Sequence, residues 1–86
     1  MQPTPPFWFR QRQGQMEPAG QDTYRLTAPN LSEAFISIRQ TESGRWLPSL
    51  RLAAAGPDVA QGTTELDNPQ DAWDVAFELY RIHLIV

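Results

Sequence analysis

Apolar and polar residues alternate through much of the stretch Ala34 to Leu52. Ile36, Ile38, Trp46, Leu50 and Leu52 occupy even positions, while Ser37, Arg39, Arg45, Ser49 and Arg51 occupy odd ones. Side chains of a strand alternate between the two faces of a sheet, so this pattern predicts a β-hairpin with one apolar and one arginine-bearing face. Both strands must turn the same set inward, which constrains the turn. A three-residue loop, Glu42-Ser43-Gly44, pairs Thr41 with Arg45 and keeps even positions opposite even ones. Such a loop wants glycine at its left-handed last position, and Gly44 stands there. Ile36 then faces Leu50 and Ser37 faces Ser49; a slip of one residue would expose the whole apolar set. Pro48 removes a ladder donor and is expected to mark a local bend between Trp46 and Leu50.

The pattern on either side extends the prediction. Thr23 to Thr27 turns Tyr24 and Leu26 inward and reads as a first strand. Ala28-Pro29-Asn30 breaks it as a loop with at most one helical turn. Gly56-Pro57-Asp58 marks a turn, and Val59 to Leu66 is expected to hold a short, weak strand. Asn68-Pro69 then starts a helix: asparagine is a strong N-cap and proline is tolerated at the first helical position. The helix is expected to run to about Ile82. Its polar stripe is Gln70, Asp71, Asp74, Glu78 and Arg81, and its apolar remainder is broader than one buried face needs. Either sheet and N-terminal segment embrace it together, or it also packs on another chain. His83-Leu84-Ile85-Val86 stays apolar and is expected to dock, with a short strand as one form of it.

Residues 1–22 are rich in proline, glutamine and glycine, with Pro3, Pro5, Pro6 and Pro18 among them. A segment so poor in apolar residues cannot offset its ordering entropy by burial, so it is expected to be a mobile arm preceding a single domain at residues 23–86. One patch stands apart: Phe7-Trp8-Phe9, followed by Arg10. Two readings remain open for it. The three rings dock on the chain's own sheet or helix as a short extra strand, or they anchor a partner, since aromatic and arginine residues dominate binding hot spots. Contact with a membrane interface is the weakest alternative. Trp73 and Tyr80 on the broad helix face join Phe7, Trp8, Phe9 and Arg10 as candidate partner-binding residues.

Composition narrows the classes. With 86 residues and 41% hydrophobic content, the chain holds one small domain with a modest core. It has no cysteine, which excludes disulfides and thiolate metal sites. No apolar run reaches the length of a membrane helix and no signal pattern opens the chain, so a cytoplasmic location is expected. All seven basic residues are arginine, and the net charge is −3. The charge is unevenly spread. Thr23 to Arg51 carries Arg25, Arg39, Arg45 and Arg51 against Glu33 and Glu42, a net +2. From Leu52 onward Arg81 stands against Asp58, Glu65, Asp67, Asp71, Asp74 and Glu78, a net −5.

Catalytic chemistry is not in view. His83 is the one histidine and has no carboxylate or second histidine at ligand spacing. Asp67, Asp71, Asp74 and Glu78 are spaced as a solvated helix face. The serines lack a base, and the glycines are isolated rather than gathered in a phosphate loop. The expectation is a non-enzymatic chain with no cofactor and no metal. The arginine face carries the alternative. Arg39, Arg45 and Arg51, with Ser37 and Ser49 between them, are the candidate nucleic-acid contacts, because a sheet face of this kind fits a major groove or a phosphate chain.

At these residues a family resemblance enters. Ile38-Arg39-Gln40, Gly44-Arg45-Trp46 and Leu50-Arg51 resemble the sheet of the plant ethylene-response-factor (Apetala-type) DNA-binding domain. Leu66-Asp67-Asn68, with Asp71-Ala72 and Phe77, is similar to the start of that family's helix. The arm-binding domains of phage integrases share the plan. The likeness spans Phe35 to Tyr80 and implies DNA contacts at Arg39, Arg45, Trp46 and Arg51. Pattern and resemblance together predict an α+β fold, β-β-β-α: a three-stranded antiparallel sheet, with a short extra strand as an option, packed on one C-terminal helix. The function expected is a small interaction or assembly module that binds protein partners or itself. Nucleic-acid binding through the arginine face is the alternative.

Overall fold

Five short strands follow one another as an antiparallel meander, β1 (Gln15–Pro18), β2 (Thr23–Thr27), β3 (Ala34–Gln40), β4 (Trp46–Arg51) and β5 (Asp58–Gln61). A short helix, α1 (Phe7–Gln11), precedes them, and a longer one, α2 (Pro69–Tyr80), follows. The computed structural model describes residues 3–85 of the chain. The α+β class is therefore as predicted, but the sheet has five strands where three were expected. The two additional strands are the edges. β1 turns only Met16 partly inward and β5 only Ala60, the rest of each being exposed. A strand that buries one residue carries no period-two signal. The weak strand expected at Val59 to Leu66 is β5 and ends at Gln61; Leu66 makes an isolated bridge to Trp46.

The central hairpin has the predicted register, with Ile36 opposite Leu50 and Ser37 opposite Ser49. Its turn closes through Thr41 N–H to Arg45 O at 2.7 Å and Gly44 N–H to Thr41 O at 2.9 Å. Gly44 holds φ +83°, a conformation side chains with a Cβ rarely adopt. The bend expected at Pro48 is absent, because Pro48 sits in register opposite Ile38 in an inner strand. Antiparallel pairs alternate between bonded and non-bonded, and the Thr41–Arg45 bond makes the odd positions the bonded ones between β3 and β4. The missing N–H of Pro48 therefore falls on the β5 side, where the ladder is ending. There its carbonyl still accepts from Gly62 N–H at 2.9 Å. The irregularity in the sheet lies between Leu50 and Arg51, against β5.

Both helices cover the even-numbered face. The core comprises Leu26, Ala34, Ile36, Ile38 and Leu50 from the sheet, Phe9 from α1, and Ala72, Trp73, Ala76, Phe77 and Tyr80 from α2. The broad apolar face of α2 is thus shared between sheet and N-terminal segment, the first of the two arrangements expected for it. Within the stretch expected to be a mobile arm, residues 1–22, the described residues form two elements: α1 packs on α2, and β1 pairs with β2 from Gln15 opposite Thr27 to Pro18 opposite Tyr24. The aromatic patch forms a helical turn rather than a strand, and Phe9 at 1% exposure repays the ordering of its neighbours. Gly14 makes the return possible. Its N–H donates to Phe9 O at 3.0 Å, and a Cβ there would collide with the Phe9 ring.

The start of α2 is as predicted. Asp71 N–H donates to Asn68 Oδ1 at 2.9 Å, and Asn68 Nδ2 donates to Asp71 Oδ2 at 2.8 Å. Caps of this kind contribute about 1 kcal/mol. The α-helix ends at Tyr80, two residues before the expected limit, and passes into a π-helical turn at Arg81–Ile85. A short strand, one form expected for the tail, does not form over those residues, and Val86 lies outside the described residues. No helix among the described residues is long and apolar enough to cross a membrane.

Candidate functional site

The odd-numbered face of the sheet carries no helix, yet its arginines are largely engaged. Arg51 Nη1 donates to Ala54 O at 2.9 Å and its Nη2 to Ser37 Oγ at 3.1 Å. Thr23 Oγ1 donates its one proton to Gln21 O, so Ser37 must be the donor in its 3.0 Å contact with Thr23. The result is a directed chain across three strands, Arg51 to Ser37 to Thr23 to Gln21 O. Arg45 Nε lies 3.0 Å from an Asp67 oxygen. Arg25 is held by Glu33 at 2.7 Å and Glu17 at 3.5 Å. Of the three candidate arginines, Arg39 alone has neither an ion pair nor a side-chain hydrogen bond among the described residues. Of Arg39, Arg45 and Arg51, one is thus tied into the sheet, one is paired with a carboxylate and one has no side-chain partner among the described residues. Ser49 stays half-exposed beside Gln61.

The aromatic candidates divide. Phe9 and Tyr80 are core residues at 1% and 0% exposure, so they are not available to a partner; Trp73, at 5%, is mostly core and leaves only a small part of its ring at the surface. Trp8 is half-buried and stacks on Tyr80, with ring centroids 6.3 Å apart. Phe7 is 65% exposed, with the Arg10 guanidinium 5.9 Å above its ring, so these two alone of the patch face outward. The Tyr80 hydroxyl is buried and has no hydrogen-bond partner among the described residues. Burial pushes its pKa above 10.0, partly countered by Arg12. Above that pH the unfolded chain gives up the tyrosine proton while the fold resists, so the unfolded state binds fewer protons and stability falls as pH rises. Denaturant titrations should show wild type losing stability above pH 10.0 faster than Tyr80→Phe. Parallel curves would disprove the assignment.

A groove that the sequence reading passed over lies where α2 begins. Tyr24, Ile38 and Trp46 project toward it from β2, β3 and β4, and Trp73 from the first turns of α2. It encloses about 350 Å³, within the range of roughly 300–1,000 Å³ typical of ligand sites. Tyr24 and Trp73 form one corner, their rings 5.2 Å apart and nearly perpendicular at 79°. Proline rings complete the wall, those of Pro3, Pro18 and Pro69. Asp22 is the one charged residue in the lining, and Gln70 adds an amide. Tyr24, Ile38 and Trp46 were legible as inward-facing positions. That α2 starts too late to cover them all was not, because it depends on where the helix crosses the sheet.

A scan against protein-family models, a search of curated proteins and a search of solved structures each return no match. The residues themselves carry the functional reading.

The acidic residues of α2 and Asp67 before it are occupied locally. Asp74 accepts from Gln70 at 2.9 Å, Glu78 from Arg81 at 2.8 Å, and Asp71 and Asp67 have the partners given above. His83 Nδ1 donates to Leu79 O at 3.1 Å, an exposed imidazole held against its own helix. Hydrogen bonds from the Thr41 and Ser43 hydroxyls, with Arg45 and Arg39 nearby, hold the Glu65 carboxyl below its ordinary pKa. That group pins the tip of the hairpin, Ser43 Oγ donating to it at 3.0 Å.

Proposed function

We propose that this chain is a small non-enzymatic interaction module that binds a protein partner at the groove of Tyr24, Trp46 and Trp73. The observation that carries this reading is an aromatic groove of about 350 Å³ lined by Tyr24, Trp46 and Trp73. Concave, mostly apolar sites with few polar groups are the common form of recognition site. The clustered carboxylates Asp67, Asp71, Asp74 and Glu78 have structural partners, which supports a role in binding rather than in proton transfer. The nucleic-acid alternative is weaker, because Arg51 and Arg45 would have to give up their partners before meeting phosphate.

The test is affinity capture followed by titration with the purified partner. Trp46→Ala should weaken binding about tenfold or more, as loss of a hot-spot tryptophan does, and Arg39→Ala should leave it within about twofold. The reverse order of effects would move the site to the sheet face. Binding of duplex DNA that falls steeply with added salt would replace the proposal with the nucleic-acid reading.

A further inference from the structure

The groove already holds a sample of what it accepts. Pro3 is buried in its lining, and the chain continues Thr4-Pro5-Pro6, with Pro5 and Pro6 half-buried. Pro6 has φ −67° and ψ 157°, the backbone of a polyproline II helix. We propose that the groove binds proline-rich segments of a partner in that conformation, and that the chain's own Pro3-Thr4-Pro5-Pro6 competes for the site. This rests on the groove being the contact site.

Three features match the ligand. Flat indole and phenol faces meeting at a right angle offer a corner for a pyrrolidine ring, the form of recognition that aromatic grooves give to proline-rich strands. A polyproline II strand makes no internal hydrogen bonds, so its carbonyls stay free. Residues that carry N–H donors line the groove, the indoles Trp46 and Trp73 and the amide Gln70, one of whose two N–H groups donates to Asp74. The strand also arrives ordered, so little entropy is lost on docking. Asp22 at the rim favours a basic residue beside the prolines. The cavity of about 350 Å³ is what remains with Pro3 in place, so the described residues of the resident segment do not fill the groove.

A methylated ammonium ion is the rival occupant, since aromatic faces and a carboxylate attract one. It is the poorer match. Three of the lining residues are prolines, which present no negative π face to a cation.

The experiment uses the full chain and follows the indole N–H resonances during titration with decaproline, tetramethylammonium, and a glycine-serine peptide of the same length. Trp8 lies in the cluster of Phe9, Phe77 and Tyr80 and serves as an internal reference. Decaproline should shift Trp46 and Trp73, leave Trp8 in place, and exceed the glycine-serine control. Pro3→Ala should tighten decaproline binding about threefold or more, because a site blocked part of the time binds with its affinity reduced by the open fraction. Unchanged or weaker binding by that variant would overturn the competition. No decaproline shift in either protein would overturn the proline assignment. If tetramethylammonium then moved the two indoles, the groove would stand as a contact site with a different ligand. If neither probe moved them, the proposed function at this groove would fall as well.

Discussion

Phe9→Ala should destabilise the protein by about 3–5 kcal/mol, the range for removing a buried aromatic ring. The ring is 1% exposed and touches the centre of the helix pair, with centroids 5.4 Å from Phe77 and 5.7 Å from Tyr80. Gly14 packs directly against it, so the cavity left behind cannot close by moving β1 alone. A domain of this length has a total stability of roughly 4–13 kcal/mol. The substitution therefore removes a large share of it, and the variant should be partly or wholly unfolded at ambient temperature. Phe7→Ala, two residues earlier, should change stability by no more than about 0.5 kcal/mol, because that ring is mostly in water. Urea titrations of the two variants provide the comparison. A Phe9→Ala cost below about 1 kcal/mol would mean that residues 3–18 are an appendage and that the domain begins near Thr23.

The contrast between Phe7 and Phe9 shows where sequence reading stopped. Composition correctly marks residues 1–22 as poor in apolar side chains, but composition averages over the segment. One phenylalanine placed in the gap between helix and sheet, with a glycine five residues later to let the chain return, organises the stretch. Neither the gap nor the close approach at Gly14 has a one-dimensional signature. The hairpin was legible because alternation, turn length and Gly44 all point to one register, and such agreement between levels is what makes a sequence specify a structure. The helix start was legible for the same reason, Asn68, Pro69 and Asp71 each suiting one end of one helix.

The arginine face was legible only as a pattern. Odd positions do share a face, so the placement of Arg39 and Arg51 beside Ser37 and Ser49 was sound. What an arginine meets there depends on the neighbouring strands and loops. Arg51 reaches a carbonyl of the loop after β4, and Arg45 reaches Asp67 just before α2, a contact that bridges a long stretch of chain. The groove is the converse case. Tyr24 and Trp46 read as inward-facing positions and Trp73 as a partner-binding candidate on the broad helix face, most of which the fold buries. The space between them exists because α2 begins at Pro69, and with it Pro3 finds a seat that no local rule assigns.

Ile36→Ala and Leu50→Ala should each cost about 2–5 kcal/mol, while Ser49→Ala, beside Leu50, should stay within about 0.5 kcal/mol. Ile36 and Leu50 are both 0% exposed and stand directly opposite each other. They fill one layer between the sheet and α2, and removing either leaves a cavity that the other borders. The double variant should therefore depart from additivity by about 0.5 kcal/mol or more, as contacting core residues do. Leu26→Ala combined with Leu50→Ala serves as a comparison, since Leu26 pairs with Ala34 rather than with any residue of β4. The physical content is the register itself. Moving β4 by one residue against β3 would bring Ser49 into the layer that Leu50 fills and turn Leu50 to water. A Ser49→Ala cost equal to that of Leu50→Ala, or strict additivity for Ile36 with Leu50, would show that the strand has that other alignment. The groove would then have to be rebuilt as well, because Trp46 would leave it with the rest of the even set.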